Sequence, residues 1–137
     1  MADVTFLNLL RGNRISGFLR LKMSPGVAYR MATDYTYAEV ALNNVQNMEG
    51  ENLAMSAELK IQRNQQVELV APCSLQPIAG HKALIVANPA LFRYASVPPM
   101  LLVDSLQQPA EVVIPAKFHR DMAISELDWL CRIYLIN

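Results

Sequence analysis

A chain of 137 residues, 53% apolar, is long enough to bury the core of a single domain without help from disulfides. No run reaches the roughly 18 apolar residues of a membrane span. Val4 to Leu10 is too short for a secretory signal and has no basic segment before it, so the reading is a protein kept in the cytoplasm, away from membranes. Charged residues make up 18% and the formal net charge is zero, a combination that favours self-association over a free monomer.

In chain order, residues 1–12 read as an N-terminal arm leading into a domain over 13–137. Residues 1–33 carry Arg11, Arg14, Arg20, Lys22 and Arg30 against Asp3 alone, and the rest of the chain carries the compensating negative excess. A basic end on a neutral chain meets nucleic acid or the acidic face of a neighbouring copy. Gly12-Asn13 is a turn-prone pair that leaves Arg11 and Arg14 free to reach outward. These two are the candidate residues for contact with a partner or with nucleic acid.

Beyond the arm, period-two alternation predicts strands with one face buried. Leu19, Leu21 and Met23 alternate with Arg20 and Lys22, and Ala38, Val40 and Leu42 alternate with Tyr37, Glu39 and Ala41. Leu53 to Ile61 alternates too, although its helix-forming composition and Met55–Leu59 spacing also suit a helix. Ala83 to Ala87 and Met100 to Val103 are continuous apolar runs, the pattern of central strands buried on both faces. Val112 and Ile114 continue the alternation. Ser125 to Asp128 resembles a helix start, which would run over Glu126–Ile133, and the competing reading closes the chain with a strand through Cys131, Ile133 and Leu135.

Turn signals recur about every ten residues, the spacing of a sandwich or barrel. They include Ser24-Pro25-Gly26, Asn43-Asn44, Gly50, Arg63-Asn64, Pro72, Pro77 to Gly80, Asn88-Pro89, Pro98-Pro99, Pro109 and Pro115. The fold class predicted is all-β: one β-sandwich or jelly roll of about eight strands, with room for one short helix near the C-terminus. Its expected interior is Leu53, Met55, Leu59, Ile61, Leu84, Val86, Leu102, Ile114 and Ile133.

Residues that could carry chemistry are scattered. His119-Arg120-Asp121 spells a kinase catalytic triplet but lacks the glycine-rich loop and strand lysine that such chemistry needs. Cys73, His81, His119 and Cys131 could bind zinc only if four separate segments converged, and the cysteines read instead as buried thiols. Asp121, Glu126 and Asp128 offer a carboxylate cluster for acid–base work or, more simply, a solvated loop. Tyr29, Tyr35 and Tyr37 near Arg30 suit either ordinary strands or an aromatic, basic nucleic-acid surface. No catalytic, cofactor-binding or metal-binding residue is assigned, and an enzyme is not expected.

Gln66 to Val70, Ala71-Pro72-Cys73-Ser74-Leu75-Gln76, the strand from Ala83 to Asn88, Pro89-Ala90-Leu91-Phe92 and the ending Ile133-Tyr134-Leu135-Ile136-Asn137 together resemble the small jelly-roll structural proteins of phage and virus particles, of penton or minor capsid type. The resemblance spans Gln65 to Asn137, about half the chain. It implies a virion subunit, assembled in the host cytoplasm, whose partners are copies of itself and other structural proteins. The same stretch is similar to the dUTPase-like β-barrel, without that family's glycine-rich uracil and phosphate motifs. That alternative implies a small oligomeric enzyme or ligand-binding protein, with Asp121, Glu126 or His119 lining a site.

Overall fold

A computed structural model describes residues 3–53, 59–76, 81–104 and 108–136. It holds thirteen strands among those residues: β1 (Asp3–Arg11), β2 (Arg14–Met23), β3 (Tyr29–Met31), β4 (Tyr37–Val40), β5 (Asn44–Asn47), β6 (Lys60–Ile61), β7 (Gln66–Leu75), β8 (Lys82–Ala87), β9 (Ala95–Ser96), β10 (Met100–Asp104), β11 (Ala110–Phe118), β12 (Met122–Ala123) and β13 (Cys131–Ile136). The count exceeds the eight or so expected because several strands are only two to four residues long. One antiparallel sheet runs β1-β2-β7-β11-β9, with β5 also on β7, and a second runs β10-β8-β13-β4-β3. The two are arranged as a sandwich, so the expected all-β class stands.

Alternate residues of both sheets fill one core. The first sheet contributes Leu7, Leu19, Leu21, Met23, Leu69, Val112, Ile114 and Phe118, and the second contributes Val40, Ile85, Cys131 and Ile133. Ile61, Ile114 and Ile133 are buried as expected, whereas Leu53 and Leu59 are only partly covered. Met55 lies outside the described residues, as does most of the segment left open between strand and helix.

Several expectations are corrected. Residues 3–11, read as arm, are strand β1, paired along its length with β2 from Asp3↔Met23 to Arg11↔Arg14. The helix over Glu126–Ile133 is absent: a short 3-10 turn covers Ile124–Glu126, and Cys131 onward is a strand lying between β8 and β4. Period-two burial of Cys131, Ile133 and Leu135 in the core outweighs the local helix signal at Ser125.

Pro72 and Pro115, read as turns, sit inside strands. Pro72 falls in a bulge where the β7–β11 register skips between Glu111 and Val113, and also between the stretches of β7 that pair β5 and β2. A missing N–H is tolerated at such a break in the ladder. Asn88-Pro89 does end β8. The Asn88 side chain accepts from Ala90 N at 3.0 Å and donates to Trp129 O at 2.7 Å, which lets this polar residue be buried while it fixes the approach to β13.

The two continuous apolar runs depart most from expectation. β8 is central, but it buries the small residues Ala83 and Ala87 with Ile85, leaving Leu84 and Val86 partly exposed on the outer face. β10 is an edge strand rather than a central one, and Leu102, expected in the core, is 54% exposed.

Candidate functional site

Register places two distinct surfaces on opposite sides of the sandwich. Cross-strand partners share a face, so the outer side of the second sheet can be read row by row. One row is Leu102–Leu84–Tyr134–Tyr37, the next is Met100–Val86–Arg132–Glu39, and a third is Asp104–Lys82–Ile136. Met100, Leu102, Leu84, Val86, Tyr134 and Ile136 thus form a continuous apolar patch at the β10 end. Met100 and Leu102 are each more than half exposed. The patch is bordered by an ion pair, Lys82 Nζ to Asp104 at 3.9 Å.

The other end of the same face is polar and internally satisfied. Glu39, on β4, is flanked by Arg30 on β3 and Arg132 on β13 in one cross-strand row. Its Oε2 accepts from Arg30 at 3.2 Å and from Arg132 at 3.0 Å. The Arg132 guanidinium also lies over the rings of Tyr37 and Trp129, 4.9 Å from each centroid. Tyr37 and Arg30, considered from sequence as part of an aromatic, basic surface, thus both have partners within the sheet. Tyr29 packs on the core, and Tyr35 stands apart in a tight turn with φ of 59°.

The second surface is the outward side of the β1–β2 hairpin. Its rows are Val4–Lys22, Phe6–Arg20, Asn8–Phe18 and Leu10–Ile15, and Arg11 and Arg14 close the turn. Gly12, at φ of +63°, takes the first turn position, where a side chain would be strained. Arg11 and Arg14 are therefore brought together at an exposed tip, as their flanking of Gly12-Asn13 suggested. Phe6 and Phe18 meet edge to face, 6.5 Å between centroids, while remaining 49% and 61% exposed. Reading from sequence missed Phe6, Phe18, Arg20 and Lys22 as one surface. The available signal was that the outward phase of β2, which carries Arg20 and Lys22, also carries Phe18.

The remaining candidates are dispersed. Cys73 and Cys131 are free and buried, as expected of small hydrophobes. Burial pushes the Cys73 thiol up to about 12 and raises Cys131 as well, with Cys73 adding to the latter, so neither is a thiolate near neutrality. His119 is exposed, its N–H donating to Tyr94 O at 2.8 Å. His81 lies against Gly17, where an added Cβ would come within 2.5 Å of its Nε2. No group of three or more His, Cys, Asp or Glu suited to a metal occurs among the described residues.

Asp121 accepts from Arg63 N at 2.8 Å and so anchors the turn at Arg63-Asn64. Glu126 hydrogen-bonds the Tyr94 side chain and is the main cause of that phenol's raised pKa. Asp128 borders a hollow beside Arg30 and Trp129. An open groove lined by Met48, Val97, Pro98 and Pro115 carries Lys117 but no carboxylate or histidine. No protein-family model matches the chain, and a comparison with curated proteins finds none similar to it.

Proposed function

We propose that the protein is a structural subunit of a larger assembly, a virion protein of capsid, vertex or minor structural type, acting through contacts between subunits. The observation that carries this reading is the outer face of β10, β8 and β13. Ala83 to Ala87 and Met100 to Val103 have the composition of strands covered on both sides, yet among the described residues the outer side is incompletely covered, with Leu84 and Val86 partly exposed and Met100 and Leu102 more than half so. A contiguous exposed apolar patch of this kind marks an interaction site. Low charge content and zero net charge agree with a surface that spends its life against other subunits. The virion setting rests on the jelly-roll resemblance together with the sandwich architecture.

Burying the patch removes apolar surface from water at roughly 25 cal/mol per Å², of which only the surplus over association costs appears as affinity. The expected result in light scattering across a concentration series is a mass above that of one chain, rising with concentration. A single-chain mass at the highest soluble concentration would count against the reading.

A further inference from the structure

We infer that the outward face of the β1–β2 hairpin binds single-stranded nucleic acid, independently of how subunits associate through the opposite sheet. The face combines exposed aromatic rings with cations in adjoining rows. Phe6 stands directly opposite Arg20, and Phe18 lies one row further toward the tip. Lys22 lies one row on the other side, and Arg11 and Arg14 crown the turn. Rows are about 7 Å apart, two residues of strand rise. None of Arg11, Arg14, Arg20 and Lys22 has an ion-pair partner among the described residues. No carboxylate occurs in the rows from Val4–Lys22 to the tip. Glu111 stands two strands from Lys22 in the row Lys22–Ser74–Glu111, and Asp34 belongs to the turn whose carbonyl accepts from the Asn8 side chain at 3.2 Å.

Charge and shape together select the occupant. Two unpaired cations in the rows beside the rings, Arg20 and Lys22, with two more at the exposed tip, call for a polyanion. Two phenylalanines left half exposed beside them call for flat apolar groups, and their edge-to-face contact leaves ring surface open. Unpaired bases supply flat faces and phosphates supply the charge, which is the combination single-strand binding sites use. In a duplex the base faces are already stacked, so a duplex offers the cations its phosphates but leaves the two rings in water. The hairpin is accessible for this role: β2 pairs with β7 from Leu21 to Met23, and residues 11–16 at the tip are exposed.

The test is fluorescence anisotropy of labelled oligodeoxythymidylate with the full chain, repeated over a salt series, with light scattering on the same samples. Binding should weaken with salt, and the double variant Arg20→Ala/Lys22→Ala should flatten the log–log slope by about 1.4, roughly 0.7 per lost contact on a single strand. Phe6→Leu and Phe18→Leu keep apolar bulk but lose the ring, and each should weaken binding about fivefold to a hundredfold without changing the melting temperature. The inference is overturned by any of three results: no binding at low salt, equal competition by duplex, or affinity indifferent to both phenylalanine changes. Phenylalanine variants that lower the assembled mass and leave oligonucleotide binding untouched would assign the face to a protein neighbour and overturn it equally.

Discussion

Replacing Phe118 with alanine is expected to destabilise the protein by about 3–5 kcal/mol. Phe118 ends β11 and is the largest of the fully buried side chains. Its backbone is tied as firmly as its ring: its N–H donates to Gln65 O at 2.9 Å, its carbonyl accepts from Asn64 N at 2.8 Å, and it pairs with Ala95 across to β9. The surroundings are therefore poorly placed to collapse into the space left by the ring, which puts the cost toward the upper end for a cavity. The control is Phe18→Ala, the same chemical change at a ring 61% exposed, expected to cost under about 1 kcal/mol. Urea denaturation of both variants checks the pair. Similar losses at the two sites would mean that the inward and outward phases have been misassigned.

The second large effect is expected at Gly17, where Gly17→Ala should destabilise by about 1–3 kcal/mol through overpacking. The glycine faces the His81 ring so closely that a Cβ would lie 2.5 Å from Nε2 and 2.8 Å from Cε1. A double-mutant cycle isolates the clash: in a His81→Ala background the same Gly17→Ala change should cost at least about 0.5 kcal/mol less, the usual floor for residues in contact. Strictly additive losses would show that the glycine is needed for some reason other than the ring.

What could be read from the residues was the part written in short-range alternation. Leu19, Leu21 and Met23 against Arg20 and Lys22 gave strand β2 and its facing directly, because burial of one face fixes the phase of a two-residue repeat. Cys131, Ile133 and Leu135 carry the same alternation in β13, but the helix start at Ser125 left strand and helix both open there. The phase of β8 was not legible in this way. Ala83, Ile85 and Ala87 are less bulky as a set than Leu84 and Val86 suggest, and which side turns inward is set by β13 and β10 on either side. An all-apolar strand carries no internal marker of which face is which.

The hairpin was hidden for a different reason. The pairing of β1 with β2 depends on the turn at Gly12-Asn13 and on a bulge between Leu9 and Leu10, and only with that register known do Phe6 and Arg20 become neighbours. Arg11 and Arg14 were recognisable because they flank the turn in sequence. Phe18, Arg20 and Lys22 needed the opposing strand to become a surface. In the Arg30–Glu39–Arg132 row, likewise, Glu39 and Arg132 are bonded across 93 positions, which no local pattern reports.

The proposed role requires the outer face of β10, β8 and β13 to be an interface. Its most direct test is sedimentation equilibrium of the double variant Leu84→Lys/Leu102→Lys beside the unmodified chain. These two residues are cross-strand partners at the heart of the patch and neither is fully buried, so the variant should keep its fold by circular dichroism. The unmodified chain is expected to sediment as an oligomer and the variant as a single chain. A folded variant that associates as strongly as the unmodified protein would contradict it.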